Sequence, residues 1–507
     1  MAYSQKQILQ NKILTQTTIS FNLSLKTWYL LYHVYEKKSY VANLNLEFVD
    51  KSYLDLVLNY LFQNLEEKIK QSLSANTLHL KITDQDFVWN NEEHSLRKLV
   101  SNSKNLKSVI LEFYNCYYYD QKYFANYPSS ICHYSTVISE FKEIENITIH
   151  FQSDKIDDKT VTLLFNNMNQ LEKLTHLNIN LRENCFGEQG ITMLSQQISQ
   201  IKNLCCLNLN LYKIKIKNEG AINLAQNLAL CLNLREIGID NSYNQITQEA
   251  IYKYIHLLSQ NSSLKCLNLN LYDNKIGSQE IDIFPLQLAN LVSLSLSLRY
   301  TELGNRGLKC LSQIFNLNQT IENLFLEFYN CYFNDEAINC FSQSIQTCQN
   351  LSKLQLFFSS LATSDYTLSY LVQSISQCLN LKQLILSFES CQIQDQLLLI
   401  IGEKLQLMKN LINLDLNLNK NQFRDQALQK FGQQISQLKQ IKILQISVRF
   451  TQCYQALNFV LELQTISSLN HLTLSLPRVN DMTERKKIFN LFKRKNKKLV
   501  FFKIKMY

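Results

Sequence analysis

One apolar phrase returns along this chain at a nearly fixed interval. Its clearest copy runs Leu264, Leu267, Leu269, Leu271, then Asn274 and Ile276. Stepping back 30 residues at a time, Leu234, Leu204, Leu174 and Ile144 open the same phrase. Forward, it reopens at Leu291, Ile321, Leu351, Leu381, Leu411, Ile441, Leu469 and Leu499. Between Leu106 and Leu499 there are 13 steps, and ten of them are 30 residues long. Looser copies begin near Val41 and Ala75. A period of this length is the signature of an array in which each coil buries its apolar face against its neighbours. The 507 residues hold about 16 such coils.

Each copy changes period halfway. Residues three, five and seven after the opener are apolar and those between are mostly polar, which predicts a half-buried strand. The second half has helical spacing, as in Ile191, Leu194, Ile198 and Ile201, or Leu428, Phe431, Ile435 and Leu438. Steps of three and four put one apolar stripe on a short helix. A strand and a helix in every coil predict a parallel sheet lined by helices. The residue ten after the opener is Asn184, Asn244, Asn274 and Asn421 in four coils, Cys116, Cys331 and Cys391 in three, and Thr301 and Thr451 in two. The chain must turn there inside the stack, where backbone groups need partners. Asn supplies both donor and acceptor, and Cys and Thr are small partial substitutes. These residues are therefore expected to form a structural ladder. Cys231, Cys348 and Cys378 recur three residues before an opener and read as buried helix-end packing.

Composition narrows the class. Only 9 Gly and 3 Pro leave no linker between domains, and a hydrophobic fraction of 46% suits a large core. Residues 1–40 read as a partly helical N-terminal cap, 41–143 as irregular coils, 144–507 as regular coils, and 481–507 as a basic capping coil. The net charge of +9 is concentrated in that last stretch, where ten Lys/Arg against two acids give +8 and leave +1 for the remainder. A nearly neutral body argues against a nucleic-acid partner. The basic run around Arg485, Lys493 and Lys498 could act as a nuclear-localisation signal, or simply as the polar outer face a terminal coil needs. Met1–Asn11 is polar, and the longest aliphatic run, Leu397–Ile401, is five residues against the ~20 that span a bilayer. No signal peptide or membrane insertion is read from these features. The 14 Cys lack paired metal-ligand spacing, so a reduced, cytoplasmic setting without metal or cofactor is expected. The sequence has no phosphate-binding glycine loop, no kinase catalytic or metal-binding motif and no H-E-x-x-H pair, and its eight His are scattered. An enzyme is not expected.

The stretches Leu264–Ile276 and Leu174–Phe186 resemble the ribonuclease-inhibitor-type (RNI-like) subfamily of leucine-rich repeats, whose pattern is L-x-x-L-x-L-x-x-N-x-L followed by a helix. The resemblance covers roughly residues 41–507. It implies an α/β solenoid, a horseshoe with a parallel sheet on the concave face and helices on the convex face. It also implies that proteins are gripped on the concave sheet. Here two residues are inserted between the last strand Leu and the Asn, and a strand about two residues longer is expected.

The outward strand positions, four and six residues after the opener, are candidates for partner binding. Early coils place Asn178, Asn180, Asn208, Asn210, Asp240, Asn268 and Asn270 there. The middle coils place Phe325 and Glu327, Gln355 and Phe357, then Ile385 and Ser387. An apolar cluster of Phe325, Phe357 and Ile385 with polar neighbours suggests a protein contact, or side chains that bury one another. Eight residues after the opener runs an edge stripe that includes Tyr114, Tyr212, Tyr272, Arg299, Tyr329, Glu389 and Arg449. Tyr and Arg there can anchor a partner or form an aromatic ladder. The expected function is a monomeric, non-enzymatic scaffold that binds a protein. The alternatives are a regulatory subunit, such as a GTPase activator or ubiquitin-ligase substrate receptor, and the repeat region of a kinase-plus-repeat protein without its kinase.

Overall fold

The structure, a computed structural model, describes residues 18–22, 43–48, 77–82, 106–114, 142–152, 156–274, 290–301, 303–361, 363–477, 483, 486–488 and 500–506. The chain divides into two compact units, Met1–Gln245 and Ile246–Tyr507. Cys116, Lys493 and most of residues 1–40 lie outside the described residues.

In the first unit the strands are β1 (Thr18–Asn22), β2 (Asn43–Phe48), β3 (Thr77–Ile82), β4 (Ser108–Tyr114), β5 (Asn146–Gln152), β6 (His176–Asn180), β7 (Cys206–Asn210) and β8 (Glu236–Asp240). Its described helices are α1 (Asp158–Phe165), α2 (Glu188–Ser199) and α3 (Lys217–Ala229). Consecutive strands pair in parallel without slippage, so that Leu177 lies beside Leu207 and Leu207 beside Ile237. β1 pairs with β2 and lies ahead of Val41.

The second unit opens with α4 (Gln248–Ser259) and β9 (Cys266–Asn270) and continues through β10 (Ser293–Ser297), α5 (Gly304–Leu317), β11 (Asn323–Phe328), α6 (Asp335–Thr347), β12 (Lys353–Ser359) and α7 (Asp365–Ser376). It then runs through β13 (Gln383–Glu389), α8 (Asp395–Leu405), β14 (Asn413–Asn417), α9 (Asp425–Ile435), β15 (Ile443–Ser447), α10 (Leu457–Leu463), β16 (His471–Leu476) and β17 (Phe501–Met506). Its consecutive strands are again parallel and in register: Leu324, Leu354, Leu384, Leu414 and Leu444 form one row. Each strand from β2 to β17 starts two residues after one of the apolar openers. No described helix is long and apolar enough to cross a membrane.

The two periods of the sequence explain the burial. Along β10, residues alternate between half-exposed Ser and buried Leu, as a strand with one covered face requires. The apolar stripes of α2 and α9 turn inward, with Ile191, Leu194, Leu428 and Phe431 fully covered. Where the seventh position is Phe, the core becomes an aromatic spine. Phe328 stacks on Phe358 at 5.3 Å and Phe358 on Phe388 at 6.3 Å, and Phe333 and Phe341 meet Phe358 edge-on at 6.4 and 6.1 Å.

The expected two-residue lengthening is confined to some coils. β6, β7, β8, β9 and β14 are five residues long and end on Asn180, Asn210, Asp240, Asn270 and Asn417. Each of these side-chain oxygens accepts the N–H two residues on, at 3.0–3.2 Å. That local bond bends the backbone out of the strand. β11, β12 and β13 carry Glu327, Phe357 and Ser387 at the same place and run for six or seven residues. The inserted residues mostly form a turn: Glu183, Lys213, Tyr243, Asp273, Tyr300, Asn330, Ser360, Ser390, Lys420 and Phe450 are all left-handed, with φ of 52° to 61°.

Candidate functional site

The turn that follows the left-handed residue is held by the tenth-position side chains. The Asn421 Oδ1 accepts the N–H of Cys391 at 3.1 Å and of Ile393 at 3.0 Å, while its Nδ2 donates to the carbonyls of Phe388 and Leu418, both at 2.9 Å. Asn244 does the same for Ile214 (3.0 Å) and Leu211 (2.7 Å), Asn184 for Ile156 (3.1 Å) and Phe151 (2.7 Å), and the Asn274 Oδ1 accepts from Ile246 at 3.0 Å. The substitutes do less. Thr301 and Cys331 both donate to the Leu298 carbonyl, at 2.6 and 3.1 Å, Thr451 donates to Val448 at 3.1 Å, and Cys391 makes a weak bond to Glu389 at 3.5 Å. All of these bonds are structural and leave little to offer a ligand.

Two further ladders escaped the sequence reading, although both were visible as periods. Fourteen residues after an opener, Asp395 accepts the N–H of Arg424 at 2.7 Å, Asp425 that of Tyr454 at 2.8 Å and Asp335 that of Ser364 at 2.9 Å. The Ser364 N–H holds the Asp335 carboxyl below its ordinary pKa. One residue before an opener, Asn203, Asn233, Asn350, Asn380 and Asn410 each donate to a carbonyl 31 residues back, at 2.6–2.9 Å. Much of the chain's Asn is thus consumed in joining coils.

The buried thiols are equally committed. Burial pushes Cys231 and Cys348 up to about 11 and Cys378, Cys391 and Cys453 up to about 12, far from the thiolate that reactivity needs. Among the described residues, no cysteine is in a disulfide and no group of His, Cys, Asp and Glu could hold a metal ion.

The edge stripe of the second unit forms a cation–π and aromatic cluster. The Arg299 guanidinium lies 5.6 Å from the Tyr272 ring centre and 5.1 Å from that of Tyr329, and its Nη1 is 3.3 Å from the Glu327 carboxylate. Tyr300 stands between, 5.6 Å from Tyr272 and 5.2 Å from Tyr329. Glu327 also accepts the Ser297 hydroxyl at 2.7 Å. Further along, burial works to raise the Glu389 carboxyl, but the Lys420 ammonium at 2.8 Å and the Asn417 amide at 3.2 Å overrule it, and its pKa is lowered. In the first unit, Arg182 lies 5.0 Å from the Tyr212 ring centre. Arg299 and Glu389 of the stripe are therefore each matched by an opposite charge beside the stripe.

The outward face of β11, β12 and β13 is different. Phe325 and Phe357 lie on adjacent strands, one row apart, with ring centres 5.4 Å apart. Register puts Phe325 beside Gln355, and Gln355 beside Ile385, so that Ile385 lies diagonally across from Phe357. All three are half-buried, neither covered nor fully exposed. Ser295 and Ser297 border the group on one side, with Glu327, Ser387 and Asp415 around the rest. Phe325, Glu327, Gln355, Phe357 and Ile385 thus converge, while Arg299 and Tyr329 stand one row beyond Glu327 and Phe357 at the strand edge, two rows from Phe325 and Ile385. The Asn rows of the first unit cover themselves in part: a Cβ at Gly238 would run into the Asn208 amide oxygen. No protein-family model matches the sequence, and no curated protein matches it either.

Proposed function

We propose that this chain is a leucine-rich-repeat protein of the ribonuclease-inhibitor type, a non-enzymatic scaffold that holds a protein partner on the helix-free face of its second unit. The observation that carries this reading is the Phe325–Phe357 pair at 5.4 Å, continued by Ile385 on the next strand. Three bulky apolar side chains on the uncovered face of a sheet favour association, because water leaves them on binding. The polar rim, Gln355, Glu327 and the serines, supplies orientation. The site is preformed: the strands beneath it rest on the Phe328–Phe358–Phe388 spine, so little ordering entropy opposes binding. Asn side chains engaged in joining coils, and thiols pushed up by burial, leave structural roles as the economical account of the remaining unusual composition.

The test is capture of the tagged chain's partners from its native cytosol beside a Phe325→Asp/Phe357→Asp variant, with affinities then measured for each recovered protein. The double variant is expected to keep its far-UV circular dichroism and melting temperature, since neither ring is part of the buried core. Its affinity is expected to fall by about 100-fold or more, as loss of two central aromatic anchors implies. A folded variant that retains its partners would remove the proposed location.

A further inference from the structure

We propose that the partner segment seated on this patch is basic as well as apolar, placing a lysine or arginine side chain on Asp415. The inference rests on the scaffold reading above and adds the chemistry of the occupant. Asp415 lies on β14 directly beside Ile385, in the same row as Phe325, Gln355 and Ile385. On its other side is Gln445, and along its own strand the residues sharing its face are Asn413 and Asn417. No cation stands at any of these positions.

The other carboxylates of this face are already answered. Glu327 has Arg299 and Ser297, and Glu389 has Lys420 and Asn417. Asp415 has neither an ion pair nor a hydrogen bond among the described residues, although it is half-buried. Burial accordingly holds its carboxyl above the ordinary aspartate value. A carboxylate drawn out of water with no counter-charge costs the free protein stability, and such a cost is characteristic of a group that meets its partner on binding. A cation brought by the occupant would supply the missing charge. It would do so beside Ile385, where the stem of Lys or Arg also finds an apolar floor. Strands are about 4.8 Å apart and residues about 3.3 Å apart along them, so Asp415 lies on the order of 12 Å from Phe357. A helix spans that separation from residue i to about i+7 or i+8, and an extended segment from i to about i+4.

The measurement is selection of a random 12-residue peptide library against four forms of the full chain: wild type, Phe325→Asp/Phe357→Asp, Asp415→Asn and Asp415→Lys. Circular dichroism and melting verify that each form folds. Wild type is expected to enrich peptides that combine Lys or Arg with bulky apolar residues. Asp415→Asn should weaken those peptides at least fivefold, with a smaller loss at high salt, and Asp415→Lys should shift the enriched residue from basic to acidic. Peptides lost by the double Phe variant but bound equally by wild type and Asp415→Asn would overturn the basic occupant and leave the scaffold reading standing. No enrichment by wild type, or enrichment indifferent to the double Phe variant, would overturn both.

Discussion

Two aspartates of the second unit show how the same side chain answers opposite demands. Asp335 accepts a backbone N–H from the next coil, and its pKa is lowered. Asp415 is surrounded by uncharged groups, and burial raises its pKa. The signs follow from proton binding. For Asp335 the native state releases its proton more readily than the unfolded chain, so its contribution is present above the ordinary aspartate range and lost as pH falls through the lowered value. For Asp415 the native state keeps its proton longer, so stability falls as pH rises through the window between the ordinary and raised values, and stays lower above it. The strands beside Asp415 offer Gln383, Ile385 and Ser387, then Ile443, Gln445 and Ser447, none of them carboxyl or amine; Glu389 and Arg449 are the titratable or charged groups further along. At pH 7 Asp415→Asn should therefore raise the melting temperature and Asp335→Asn should lower it, and both differences should shrink toward pH 3. A lower melting temperature for Asp415→Asn at pH 7 would contradict the unpaired charge. The sequence alone could show that both residues are outward or terminal. It could not show what surrounds them, because the neighbours that matter lie about 30 residues away in each direction.

At the scale of the element, the strand-to-helix turn was the most legible part of the sequence. Its Asn recurs every 30 residues, and its chemistry dictates a donor and an acceptor at a buried bend. Asn421→Ala would leave the N–H groups of Cys391 and Ile393 and the carbonyls of Phe388 and Leu418 without those partners. At about 1–3 kcal/mol for a buried unsatisfied group, partly relieved by relaxation, a loss of roughly 2–4 kcal/mol in urea unfolding is expected. Asn421→Thr should cost less, since Thr301 shows that a hydroxyl can still satisfy one carbonyl in this turn. Equal losses for Ala and Thr would mean that the side chain acts by volume alone. The strand lengths were harder to read. Two inserted residues suggested longer strands throughout, yet a single Asn or Asp at the sixth position is enough to turn the backbone away. Both features were present in the sequence, but which of them wins is a competition between a local bond and a ladder bond. The Asp ladder and the Asn ladder just before the openers went unread for a different reason: short polar residues near helix ends ordinarily serve their own helix, and here the Asp side chains reach the next coil and the Asn side chains the preceding one.

Over each whole unit, the physical consequence of stacking is that elements meet their sequence neighbours and little else. In the second unit β11 pairs with β10 and β12, and β12 with β11 and β13. Stability in such an array is a sum of coil terms and nearest-neighbour terms, so damage should stay local. Phe358 is the residue on which to test this, because it is fully buried and touches Phe328, Phe333, Phe341 and Phe388. Phe358→Ala should cost about 3–5 kcal/mol of local stability. Hydrogen exchange followed by mass spectrometry is expected to show faster exchange in β11, β12, β13, α6 and α7, with β15 and β16 unchanged. Equal acceleration in β15 and β16 would show that the unit opens as one cooperative body. The same three strands carry the apolar patch on their opposite face. A spine that loosens locally should therefore also weaken binding at Phe325 and Phe357, while Phe459→Ala, on α10 against Gly432 of α9 and far along the array, should destabilise its own coil and leave binding intact. That pairing separates a site preorganised by its own coils from one that depends on the integrity of the whole unit.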